Sequence, residues 1–251
     1  MRRFALSLSV MVVLLLSTHP SAVAAPETTP LLRLTLTESW PGNMAGVGLF
    51  RSTYAPGGSS EELSPHNPQL FFVETGVVTA RLVAGEGAPV NLGSGLGSAS
   101  PAATPASDHA VQIAAGEAGL LLTGTTVEVH NEGSSPASVL WVLFDAAATF
   151  TETKDVTHDH FSGGVHQAIP PPPLVIGLDR VTLAPDATPT AAPAPTITRV
   201  GPVDARRTGD LRPSGIGVAR NLSATPLDIY VLTIAPASPS PGTPTSATPG
   251  P

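Results

Sequence analysis

Cysteine is absent from the 251-residue chain. That excludes disulfides, thiolate metal ligands, a cysteine nucleophile and a lipidated-cysteine anchor, and leaves core burial to hold the fold. Aromatic residues make up 4% and charged residues 12% of the chain. Twelve Lys and Arg stand against nineteen Asp and Glu, for a formal net charge of −7. Without the first 25 residues, which carry Arg2, Arg3 and no acid, the charge is −9. An acidic chain this poor in aromatics is a poor nucleic-acid binder. It also lacks the basic stripe that holds proteins on anionic membranes. After residue 25 there is no G-x-S-x-G elbow, no glycine loop leading into a helical pattern, and no sustained 3.6-residue period.

One long apolar run is present. Phe4–Leu16, roughly 13 residues, follows Arg2-Arg3 and precedes Ala22-Val23-Ala24, the n-region, h-region and cleavage pattern of a secretory signal. It is shorter than the roughly 20 residues of a spanning helix. The expectation is a signal peptide over 1–25, cut near Ala24 or Ala25, with a retained anchor as the alternative. Cleavage would leave a secreted or extracytoplasmic protein with no membrane anchor.

Proline (28) and glycine (24) are abundant. Residues 93–108 (GSGLGSASPAATPASD) read as a disordered loop, and 236–251 as a disordered Pro/Ser/Thr tail, because neither has apolar surface enough to offset ordering entropy. Ile169–Pro173 (IPPPP) is stiff and extended, closing a linker over 148–173. Elsewhere the period is two: Leu32, Leu34 and Leu36 alternate with polar residues, as do Val78, Ala80 and Leu82, and Val127 and Val129. Leu70–Val73 and Val77–Val83 around Gly76 read as a hairpin. Val139–Phe144 (VLWVLF) reads as a strand buried on both faces. The expected class is all-β, in two units over 31–147 and 174–235.

The units share a pattern. Arg51-Ser52-Thr53-Tyr54-Ala55-Pro56 matches Arg180-Val181-Thr182-Leu183-Ala184-Pro185 as R-x-T-x-A-P. Asn131, Pro136 and Val139–Phe144 recur at the same spacing as Asn221, Pro226 and Ile229–Ile234. A duplication follows, with a second copy lacking roughly the Leu70–Val83 hairpin and the long loop.

Pro56–Phe144 resembles the cupin family. Gly116, Gly124 and Asn131 fall at the spacing of the second cupin motif, and Gly76 at the last glycine of the first. The ligand positions depart from it. Gln69 stands in the glutamate place, Val127 in a histidine place, and the H-x-H places fall on Glu62 and Ser64 or Leu63 and Pro65. His66 is out of register. The resemblance implies an antiparallel jelly-roll barrel followed by a reduced second copy, a ligand pocket near His66, Gln69, Val127 and Val129, and a homodimer through sheet edges. With the ligand set gone, no catalytic residue and no metal cofactor are expected in the barrel.

His158, His160 and His166 form the one histidine-rich segment. His158 and His160 share a side of an extended chain, and a turn at Gly163-Gly164 would return His166 to them. With Asp155 or Asp159 the set offers N/O ligands for Zn or Cu; a solvated loop is the alternative. Trp40 and Trp141 read as packing residues, and Asn221-Leu222-Ser223 as a glycosylation sequon. Three functions stand: a non-catalytic binder of a small molecule or carbohydrate, a structural surface spacer, and a metal-binding cupin-type enzyme using the histidine segment.

Overall fold

The computed structural model describes residues 26–36, 45–64, 69–85, 89–94, 110–121, 123–144, 150–167, 173–189, 197–203, 211–213 and 219–237. The expected signal, His66, most of the 93–108 loop and nearly all of the tail lie outside these residues.

The described residues form fifteen strands and no helix. In chain order they are β1 (Glu27–Leu36), β2 (Ala45–Ser64), β3 (Gln69–Thr75), β4 (Val77–Ala84), β5 (Val90–Ser94), β6 (Ala110–Ala114), β7 (Glu117–Leu121) and β8 (Thr125–His130). Then come β9 (Ala137–Leu143), β10 (Phe150–Gln167), β11 (Leu174–Leu183), β12 (Ile197–Pro202), β13 (Leu211–Pro213), β14 (Ala219–Asn221) and β15 (Leu227–Pro236).

Nine strands make a nearly closed antiparallel barrel, in the order β5-β7-β3-β9-β2-β8-β4-β6 with β10 beside β2. Long β2 belongs to both walls. Its first half pairs with β9 and its second half with β8, and Gly57 at φ 74° marks the bend between them. β3 and β4 are not the expected hairpin: β3 pairs with β7 and β9, β4 with β6 and β8. The reason is Gly76. Its φ of 79° swings the chain from one wall to the other, and a Cβ there would lie 2.8 Å from that of Ala137. Gly116 (φ 85°) and Gly124 (φ 75°) make the same kind of crossing, from β6 to β7 and from β7 to β8. Such backbone is costly for residues with a Cβ, so the glycine spacing of the sequence is the spacing of the barrel's corners.

A second sheet, β1-β11-β15-β12, packs face to face on the outside of the barrel wall. One apolar cluster joins Leu49, Leu70, Phe72, Leu140 and Val142 of the barrel to Leu34, Ile176, Leu178, Leu232 and Ile234 of that sheet. This explains the continuous apolar runs. Val139 and Trp141 face the barrel interior while Leu140 and Val142 face the second sheet.

The two units repeat in register. Arg51 pairs with Leu140 and Tyr54 with Ala137; Arg180 pairs with Tyr230 and Leu183 with Leu227. β12 lies on β15 as β3 lies on β9, with Gly201 opposite Tyr230 and Phe72 opposite Leu140. The second unit therefore retains a counterpart of β3. Between β13 and β14 only five residues intervene, where the barrel carries β5, β6 and β7.

Two boundaries differ from the sequence reading. β1 was expected in the first unit but pairs with β11 of the second. The 148–173 segment, expected as a linker, contains β10, which runs along the whole of β2. Alternation reveals that a segment is a strand and which face is apolar, but not which distant strand it joins.

Candidate functional site

The barrel interior is lined by Phe50, Tyr54, Phe71, Val73, Val78, Ala80, Ile113, Leu121, Val127, Val129, Val139 and Trp141. Trp141 sits at its centre, since both neighbouring strands place an aromatic opposite it, Phe50 on β2 and Phe71 on β3. The Phe50 ring is nearly parallel to the indole at 6.0 Å, and the Phe71 ring is tilted at 4.9 Å. Trp141 is thus a packing residue, as its place in VLWVLF implied, but a polar one. Its indole nitrogen Nε1 is buried and finds no acceptor among the described residues.

Two residues of the expected pocket, Val127 and Val129, are fully buried here, and a third, Gln69, is 3% exposed on the inward face of β3. His66 lies outside the described residues. Glu62, one of the H-x-H places, pairs with Val127 across β2 and β8. Two of the family's ligand places thus hold an amide, Gln69 on β3, and a valine, Val127 on β8.

The described residues form a nearly closed, all-β barrel, the architecture that the cupin resemblance implied. Neither a protein-family profile nor a curated protein sequence matches it. Among solved structures it is similar to a variant of Bacillus subtilis oxalate decarboxylase, at 8% identity and TM-score 0.38 over 80% of this chain and 76% of that one. It is also similar to the protein YhaK of Escherichia coli, at 15% identity and TM-score 0.41 over 80% and 92%. A third is the 11S allergen of Cocos nucifera, at 11% identity and TM-score 0.36 over 79% and 91%. These likenesses concern the fold.

One histidine enters the barrel interior by a route the motifs did not reveal. His158 on β10 pairs with Ser52 on β2, and its Nδ1 lies 2.9 Å from the Ser52 hydroxyl. Its ring meets that of Phe50 edge-on at 6.2 Å. Ser52 is fully buried, so this pair is a core hydrogen bond and not an exposed nucleophile and base. His160 pairs with Phe50 and His166 with Gly46. The chain does not turn at Gly163-Gly164 but continues as strand, so His166 is carried away from the other two. Gly46 and Phe50 are four residues apart along β2. Among the described residues no group of three His, Asp or Glu is placed to hold a metal.

Sequence reading also missed an outer groove of about 290 Å³ lined by Thr79, Arg81, Glu128, His130 and Glu132. Alternation on β4 and β8 puts Thr79, Arg81, Glu128 and His130 on the solvent face, and Glu132 follows just after β8; Thr79 donates to it at 3.2 Å and His130 Nδ1 lies 3.8 Å from it.

Asn131 and Asn221 are buried structural residues. The amide of Asn131 donates to the carbonyls of Tyr54, Ala55 and Ser135, and that of Asn221 to those of Leu183, Ala184 and Thr225. The sequon asparagine is therefore committed to the core, not presented for modification.

Proposed function

We propose that the chain is an exported, non-catalytic cupin-like protein that holds a small molecule or sugar within its barrel. The observation that carries this reading is the buried Trp141 Nε1–H with no acceptor among the described residues. An unanswered buried donor costs about 1–3 kcal/mol, a cost that a ligand oxygen at that position would remove. Gln69 adds a second polar side chain on the same inner surface. The absence of imidazole at Val127, and the buried state of Ser52 beside His158, support a binding role over a catalytic one. The expected signal over 1–25 is the basis for export.

The spacer reading has its own support, the close packing of Phe50, Phe71 and Trp141. One titration separates the two. Trp40→Phe leaves Trp141 as the only tryptophan of the chain. Its emission, followed against a panel of monosaccharides and small carboxylic acids, should change saturably with at least one ligand, with a matching rise in Tm. No saturable change with any member, and no shift in Tm, would leave the spacer reading in place.

A further inference from the structure

The two apolar faces that meet between the barrel and the second sheet are built from repeat-related residues. Leu140 and Val142 come from β9, and their register counterparts Tyr230 and Leu232 from β15. Two largely apolar faces have little to define a single docking arrangement, because apolar attraction is non-directional. A two-residue slip along the strands, or the pseudo-symmetric alternative, would still set apolar face against apolar face.

One polar cluster breaks the equivalence. Arg51 on β2 donates through Nε to Glu74 Oε2 at 2.8 Å, and Ser138 donates to the same oxygen at 2.9 Å. Arg51 Nη2 donates to the hydroxyl of Tyr230, which in turn donates to Glu74 Oε1. Arg51 Nη1 reaches across to the carbonyl of Val203 at 2.7 Å, and its guanidinium lies 5.5 Å from the centre of the Tyr230 ring. Tyr230 is fully buried, and Arg51 and Glu74 are each 16% exposed. Among the described residues the cluster occurs once: the register counterparts are Arg180 for Arg51 and Leu140 for Tyr230, and Arg180 instead pairs with Asp228 near the surface at 2.6 Å.

We propose that Arg51, Glu74 and Tyr230 form an interlock that fixes the register of the second unit on the barrel, contributing uniqueness of docking more than stability. Buried ion pairs often add little net stability over apolar residues of the same size, because desolvation offsets the attraction. Their hydrogen bonds are nonetheless directional. A slipped arrangement would keep the Arg51–Glu74 pair within the barrel but take from it the Tyr230 hydroxyl and the Val203 carbonyl, leaving buried polar groups unanswered on both sides, and so is selected against.

The test is an apolar replacement of the whole cluster in the full-length protein, Arg51→Met, Glu74→Leu and Tyr230→Phe together. The expected result is a folding constant within about tenfold of the parent or above it. Doubled or broadened amide resonances should appear along β9, β12 and β15, with increased binding of a hydrophobic dye. A single sharp set of resonances without dye binding would overturn the proposal. So would a large loss of stability with the spectrum still single, since the cluster would then act by energy alone. If the triple variant does not fold, Tyr230→Phe alone carries the test. Resonance doubling confined to the interface strands supports the interlock, and one unshifted set refutes it.

Discussion

Asn131 and Asn221 occupy the same structural position in two different units. Each donates its side-chain amide to three backbone carbonyls, and each accepts at Oδ1 from the backbone two residues on, Gly133 or Ser223, at 2.9 Å. Each also exchanges backbone hydrogen bonds with the turn after R-x-T-x-A-P, Asn131 with Gly57 and Gly58, Asn221 with Asp186 and Ala187. The turn itself recurs with left-handed backbone at Gly57 (φ 74°) and Asp186 (φ 64°). A match of composition alone would not reproduce these partners atom for atom.

Asn131→Ala and Asn221→Ala should therefore cost similar amounts, about 2–4 kcal/mol each, since either leaves several buried carbonyls unanswered. Urea denaturation of the two variants provides the measurement. A cost below 0.5 kcal/mol for one of them, on the order of a surface substitution, would show that the second anchor is vestigial.

The same burial governs the sequon. Protein passed through a eukaryotic secretory route should carry no glycan on Asn221 in its folded fraction, as intact mass would show. A folded, glycosylated species would mean that Asn221 leaves its three carbonyls.

Glycine at the corners gives a paired prediction. Gly76→Ala adds a Cβ 2.8 Å from that of Ala137 on top of an unfavourable φ, whereas Gly57→Ala meets nothing within 4 Å. The second change should cost about 1–2 kcal/mol for the backbone alone, and Gly76→Ala distinctly more. Equal losses in thermal unfolding would contradict the close approach at the β3–β4 corner.

Tyr230 predicts an alkaline signature. Burial, and then the negative charge of Glu74, push its hydroxyl well above the ordinary tyrosine range. Below about pH 10 it is protonated in both folded and unfolded chains, and its contribution to stability is complete. Above that, the unfolded chain releases its proton first, so stability falls as pH rises. Tyr230→Phe should flatten this decline. Tyr54 would then be the only tyrosine left, and absorbance titration of that variant separates the two hydroxyls. An unchanged alkaline slope would mean that Tyr230 is not held as described.

For the histidine segment the strand geometry makes an asymmetric prediction. In a calorimetric titration with Zn²⁺, His166→Ala should behave as the parent, because His166 pairs with Gly46, four residues along β2 from the partner of His160. Any saturable heat should instead depend on His158 and His160. Equal loss from His166→Ala would require all three to meet.

Much of the architecture was already in the sequence. Period-two alternation declared strands, and VLWVLF declared a strand with two buried faces, because face preference is a local property of a pleated chain. Gly76, Gly116 and Gly124 stood out at the cupin-motif spacing, and the structure made them corners, where left-handed backbone favours a residue without a Cβ. The R-x-T-x-A-P and Asn131/Asn221 pattern exposed the repeat. Partnership was decided only by the tertiary structure. That β1 completes the second unit, that β10 lines the barrel and carries His158 to Ser52, and that Arg51 meets both Glu74 and Tyr230 all depend on strands brought together from far apart in the chain. Pairing of that kind leaves no periodic trace, because alternation fixes the face a side chain presents and leaves its neighbour open.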